Sequence, residues 1–233
     1  MEAIPRLVGT PSNAAIGQRI SDESVTLVRD NGKLLPLTPW GLNRAVLHPS
    51  LKSPRRNLVV IILCDNLRAE DGRVLEREIQ ARRPDANVIY VDAHVAAERS
   101  NEVVNTVDQA RVVAVAVYIV PSAARSMQLG RISKHPASLP DSTAALLNGI
   151  LRRAADKSVV LAMGSPYLTD DFPAIQNYIC TFSNASVSEI SAAKALFGEI
   201  PIHGHMPVNL LNAHVQAPAA ARSAQLARAK SIQ

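Results

Sequence analysis

The sequence is poor in aromatic residues, with Trp, Tyr and Phe together making up 3% of its 233 positions. Few flat platforms are available for stacking bases, and no stripe of Lys and Arg interleaves with them. A nucleic-acid surface is therefore not expected, although the net charge is +5. Much of the positive excess lies between Arg222 and Lys230. Cysteine is nearly absent too. Cys64 and Cys180 stand far apart, each inside an apolar run and without C-x-x-C spacing, which predicts two buried thiols rather than a disulfide. No long hydrophobic run occurs. The longest, "VVAVAVYIV" at 112–120, has nine residues, whereas a membrane-spanning helix needs about 20. The opening "MEAIPRLVGTPSN" has neither the basic nor the apolar region of a signal peptide. No membrane partner is expected, and localisation leans to the cytoplasm.

Several chemical motifs are missing as well. A nucleophile elbow needs G-x-S-x-G between strand and helix, but in "AMGSPY" Ser165 is followed by Pro166 and no glycine stands two residues on. Neither G-x-G-x-x-G nor G-x-x-x-x-G-K occurs, and the first long apolar run ends in "CDNLRAEDG". Asp65 and Asn66 there read as an Asx-type cap on a following helix. The pair His203-Gly204-His205 would share one face of a strand and could chelate an ion. Glu199 precedes Pro201 on a different local element, however, and no H-x-x-E, E-x-x-H or C-x-x-C partner lies nearby. No metal site and no cofactor are expected.

What is present is an α/β pattern. Hydrophobic residues make up 47% of the chain and charged ones 19%, and the apolar runs are short. Strands are expected at 57–64, 87–92, 112–120 and 158–163, with weaker ones at 178–182 and 207–210. The long runs are rich in Val and Ile without in/out alternation, as in parallel strands buried on both faces. Helical periodicity falls at about 12–28, 67–83, 100–110, 140–155 and 186–198. Pro140 suits a first helical turn, Ser186 an N-cap and Gly198 a helix end. Alternating strands and helices predict a three-layer α/β sandwich on a mostly parallel, flavodoxin-like sheet. The domain is expected to span 1–212, with 213–233 an Ala- and Arg-rich tail.

Three stretches in order add a resemblance. "ISDESVTLVRDNGKLLPL" at 20–37 matches a pattern A-x-E-S/G-x-V-L-L-K/R-N/D then G-x-L-L-P-L, through Glu23, Ser24, Val25, Leu27, Arg29, Asp30, Gly32 and Leu34 to Leu37. "GSPYLTDDFPAIQNYICTFSNAS" at 164–186 fits G-S/N-P-Y, F-P and an aromatic strand through Gly164, Ser165, Pro166, Tyr167, Phe172, Pro173, Tyr178 and Phe182. "AAKALFGEIPIHGHMPVNL" at 192–210 fits a closing A-x-x-x-L-F-G-x-x-P-x-x-G-x-L-P-V-x-L through Ala192, Leu196, Phe197, Gly198, Pro201, Gly204, Pro207 and Val208. Together these resemble the second domain of glycoside hydrolase family 3. In that pattern the places of His203 and His205 are variable turn positions.

The resemblance implies a partner, a catalytic (β/α)8 barrel in cis or in trans that supplies the nucleophilic aspartate and shares a carbohydrate substrate. In the β-glucosidase branch the proton donor is a glutamate of this second domain, placed after its third long strand. Here that interval, "PSAARSMQLGRISKHPAS" at 121–138, holds no Asp or Glu, and Thr143 stands where a glutamine is usual. The pattern fits the β-N-acetylhexosaminidase branch instead, whose donor is a histidine of the barrel. The implied role is an accessory, by itself non-catalytic domain of a glycosidase acting on N-acetylglucosaminides, with no catalytic residue of its own. Candidate substrate- or barrel-facing residues are Arg125, Met127 and Leu129 in the interval and Gly164, Ser165 and Tyr167 after the fourth strand. Two other classes fit the residues: a free-standing module binding a sugar or other small molecule in the strand-end crevice, and a serine esterase using Ser165 or Ser126.

Overall fold

The computed structural model describes residues 10–37, 58–67, 70–119 and 139–210. Helices α1 (Pro11–Ser24), α2 (Arg73–Arg82), α3 (Ala96–Gln109), α4 (Asp141–Ala154), α5 (Leu168–Asp171) and α6 (Ser186–Phe197) accompany six strands. These are β1 (Thr26–Asp30), β2 (Leu58–Leu63), β3 (Asn87–Val91), β4 (Val112–Ile119), β5 (Ser158–Gly164) and β6 (Asn177–Cys180). The strands form one sheet in the order β1-β6-β5-β4-β2-β3. Strands β2 to β6 are parallel and β1 runs antiparallel to β6. The five parallel strands thus follow the flavodoxin-like order, in which the chain reverses direction across the sheet between β2 and β4.

Period two explains the layers. In β2, Val59, Ile61 and Leu63 face a core shared with Val103 and Val107 of α3 and Leu146 and Ile150 of α4. Leu58, Val60 and Ile62 face the other core, with Leu75 and Ile79 of α2 and Leu196 of α6. Both faces are covered, so the strand sequences carry no polar side, as expected for a parallel sheet. Fully burying a Leu, Ile or Val contributes about 1.5–3 kcal/mol, and all six residues of β2 are buried. Cys64 and Cys180 are buried free thiols. No described helix is long and apolar enough to cross a membrane.

Six local expectations need correction. The helix expected at 12–28 ends at Ser24, and Thr26–Asp30 is a strand. Val25, Thr26 and Val28 are β-branched, and pairing with β6 rewards an extended chain there. Pro140 is the N-cap of α4, not its first helical residue, and Ala185 rather than Ser186 precedes α6. The Ala185 amide is held by Ser183 Oγ at 3.1 Å. Helix α2 begins only at Arg73 behind Gly72, so Asp65 and Asn66 do not cap it. Helix α3 starts at Ala96, earlier than expected, because the buried Asp92 accepts hydrogen bonds from the amides of His94 (2.9 Å) and Val95 (3.1 Å).

The last correction concerns 207–210, where no strand forms. Exposure nevertheless alternates from Pro201 to Leu210. Ile200 and Ile202 pack on the α2/α6 core, and Met206 and Leu210 on the α3/α4 core. This stretch therefore passes around the β1 end of the sheet and covers an edge that would otherwise expose unpaired backbone. Gly198 ends α6 at φ +72°, as its position in the sequence suggests.

Candidate functional site

Because β2 to β6 are parallel, their carboxyl ends share one rim, formed by 64–67, 92–95, 164–167 and 181–184. Gly164 closes β5 opposite Ile119 and has φ +118°, which a side chain would resist. Ser165, Pro166 and Tyr167 follow at the surface, half-buried, and Tyr167 precedes α5. One contact fixes this turn from below, and a second fixes the segment that leads into β6. Tyr178 Oη, inside β6, donates to Pro166 O at 2.7 Å. Arg29 of β1, 8% exposed, donates from Nη1 to Ile175 O (2.9 Å) and Pro173 O (3.3 Å). Burial pulls the Arg29 guanidinium below its ordinary proton affinity, with Tyr178 and Asp170 opposing. Arg125, Met127 and Leu129, like Ser126, lie outside the described residues.

The rim also holds a carboxylate fixed as an anion. Burial raises the pKa of Asp92, but the amides of Val95, Leu67 (3.3 Å) and His94 outweigh it and hold the group below the usual carboxylate range. All three are backbone contacts, so Asp92 shapes the loops after β2 and β3. The thiols are not nucleophiles at neutral pH. Burial and then the nearby Asp92 push Cys64 up to about 11, and burial pushes Cys180 up to about 12.

Helix α2, which follows β2 at the reversal point, has its first turn closed by a side chain from elsewhere. Glu189 of α6 is 2% exposed and accepts from Gly72 N at 2.9 Å and Leu75 N at 2.7 Å. Nothing in the local sequence signals this cap, since the partners are 114 and 117 residues apart.

His203 and His205 point outward from an irregular segment, and both are exposed. The residue that matters there is Gly204. Its amide donates to Val25 O at 3.1 Å, and an added Cβ would overlap Val25 O, Ser24 O and Thr26 Oγ1. Among the described residues, no group of three or more His, Cys, Asp or Glu side chains is arranged to hold a metal.

The stretches that carry the sequence resemblance meet one another. Leu37 N donates to Leu196 O at 2.6 Å, Gly198 lies against Pro36, and Gly32 N donates to Asn177 Oδ1 at 2.8 Å. Segments from the start, middle and end of the chain are thus locked around β1, β6 and α6. These residues hold the fold and present no reactive group.

No family model and no curated protein matches the sequence. Solved structures do match. A fungal multi-domain GH3 β-N-acetylglucosaminidase superposes on 94% of the chain with a TM-score of 0.66 at 17% identity. The fold is that of a domain in glycoside hydrolase family 3 enzymes. A family 3 β-N-acetylglucosaminidase from Paenibacillus sp. str. FPU-7 covers 87% of the chain, with TM-score 0.57 and 18% identity. A family 3 β-glucosidase from Neurospora crassa also covers 87%, at 0.57 and 15%. The chain spans 22%, 34% and 26% of these three proteins respectively, so the family 3 fold seen here accounts for only part of each. At such identities the likeness is one of fold.

Proposed function

We propose that the chain is the accessory second domain of a family 3 glycoside hydrolase of the β-N-acetylhexosaminidase type, non-catalytic by itself. Its role is to wall the active-site mouth of a (β/α)8 barrel not contained in these 233 residues. The observation that carries the reading is the acid-free interval 121–138 directly after β4, in a chain with the family 3 fold. A retaining glycosidase needs two groups about 5–5.5 Å apart across the bond, one to attack and one to protonate. Where the second domain supplies the acid, this interval is its expected place. Here the interval offers none, so both groups must come from the barrel.

The wall would be the strand-end rim, with Gly164, Ser165 and Tyr167 on the turn after β5 and Arg125, Met127 and Leu129 in 121–138. Support comes from the way the turn is built: Tyr178 holds it from the buried side while Ser165 and Tyr167 remain accessible. Met127 and Leu129, with Ile132, are large apolar residues in a stretch otherwise made of small, polar and basic ones, suited to a covered surface. An interface between domains of one chain buries about 600–1,500 Å². The substrate shared with the barrel would be an N-acetylglucosaminide.

Assays with aryl N-acetylglucosaminides and aryl glucosides test this directly. The purified chain should show no turnover above the buffer blank. Turnover that survives repurification and disappears on mutating a carboxylate of this chain would overturn the proposal.

A further inference from the structure

The amino end of α2 stands at the reversal point of the parallel strand order, where open α/β sheets bind anionic ligands on free amides. In this chain those amides face a carboxylate already. Glu189 Oε1 accepts from Gly72 N at 2.9 Å and Oε2 from Leu75 N at 2.7 Å. The arrangement is bidentate, one oxygen per amide, as a free carboxylate would bind. Gly72 makes the approach possible: it has φ +83°, and a Cβ there would strike the Ile62 side chain.

A second group points to the same place. Tyr118, near the carboxyl end of β4, is 1% exposed and its hydroxyl has no hydrogen-bond partner. An unpartnered buried hydroxyl is costly, which marks a donor whose acceptor is missing or misplaced. Burial, then the charge and hydrogen-bonding capacity of Glu189, then Asp71, push the Tyr118 phenol far above its ordinary range. The hydroxyl therefore lies beside the Glu189 carboxylate without reaching bonding geometry, and stays protonated as a potential donor.

We infer that Glu189 is a built-in ligand in a latent oxyanion site made by Gly72 N, Leu75 N and Tyr118 Oη, and that removing its carboxylate opens this site to a small free carboxylate. The ligand class follows from size and charge. Glu189→Ala vacates roughly the volume of acetate. Asp71 adjoins Gly72, and burial followed by the charge of Asp65 raises its pKa. A nearby acidic pair disfavours a dianion, so formate and acetate should enter where phosphate does not. In the native chain the site is closed, which removes the usual anion position of this strand order from the list of places where a free ligand binds. This inference stands independently of the glycosidase reading.

The test is chemical rescue of the full chain. Glu189→Ala should melt below wild type, and sodium formate or acetate should raise its melting temperature saturably compared with chloride at equal ionic strength. Wild type should show no such difference, and Tyr118→Phe combined with Glu189→Ala should weaken the rescue severalfold. If the alanine variant does not fold in chloride, recovery of native circular dichroism with formate is the readout. Failure of formate and acetate to outperform chloride in either readout overturns the inference. The isosteric Glu189→Gln gives a second measure, because its amide NH2 must oppose one of the two backbone donors. Hydrogen exchange at Gly72 or Leu75 should accelerate about tenfold, the loss of one charge-assisted bond, and unchanged protection at both would also overturn it.

Discussion

Replacing Asn177 with Ala should destabilise the fold by about 3 kcal/mol, although the residue touches no part of the proposed wall. Asn177 opens β6, is fully buried, and lies at the opposite end of the strands from the rim. Its Oδ1 accepts from Gly32 N at 2.8 Å and its Nδ2 donates to Ser158 O at 2.8 Å. The side chain thus ties the turn after β1 to the first residue of β5. Gly32 is pressed so close that an added Cβ would lie 3.0 Å from Asn177 Oδ1 and 2.9 Å from Asp156 O. Alanine removes two hydrogen bonds of about 1 kcal/mol each and leaves a backbone donor and a buried carbonyl to be satisfied, at about 1–3 kcal/mol for a group left without a partner. Water reaches Gly32 N more easily than Ser158 O, which keeps the sum near the lower end. Urea denaturation at neutral pH is the assay, with Gln176→Ala as control, because Gln176 makes only an exposed bond to Asn31. The control should stay within about 0.5 kcal/mol of wild type. A 3 kcal/mol loss corresponds to a melting temperature lower by about 6–12 °C for a chain of this size. A loss for Asn177→Ala under about 1 kcal/mol would refute the claim that this residue locks β1 to the parallel sheet.

Asp92→Asn should cost about 2 kcal/mol at neutral pH, since the amides of His94, Val95 and Leu67 then face a neutral group with one acceptor. The folded-state pKa of Asp92 is depressed, so its contribution is fully present above the unfolded carboxylate pKa and is lost as pH falls through the folded value. The gap between wild type and variant, read by urea titration, should therefore be constant from pH 7 to 5 and shrink below about pH 4. Gly204→Ala should destabilise by about 1–3 kcal/mol through overlap with Ser24, Val25 and Thr26, whereas His203→Ala and His205→Ala should each stay within about 0.5 kcal/mol. A thermal-shift series separates these outcomes, and a histidine variant as damaging as the glycine one would contradict the packing argument.

The central strands were legible because Val- and Ile-rich runs such as 58–63 and 112–117 need no distant partner to declare themselves. Strand β1 was not, since "TLVRD" follows a helical stretch directly and only its pairing with β6, some 150 residues later, makes it extended. The same non-locality hid residues that fix the connections between elements. Arg29 reaches carbonyls 144 and 146 residues away, and Glu189 caps a helix more than 110 residues before it. Neither has a local signature, because an arginine in a strand or a glutamate in a helix reads as a surface residue until the fold buries it. Asp92 was legible in principle: an aspartate at a strand end, two residues before the first amide it binds, is an Asx-turn signal. The resemblance motifs identified Gly32, Gly198 and Gly204, and packing supplies the reason for each.

The central claim is that the strand-end rim faces a catalytic barrel. Hydrogen exchange on the chain alone and in the presence of a family 3 (β/α)8 barrel measures this most directly, with Ser165→Ala and Tyr167→Ala variants compared for docking. The account predicts slower exchange at Gly164, Ser165 and Tyr167 in the presence of the barrel, no change at the Asn177 end of the strands, and weaker docking for Tyr167→Ala. Equal exchange at 164–167 with and without a bound barrel would contradict the proposed wall and leave the rim without that role.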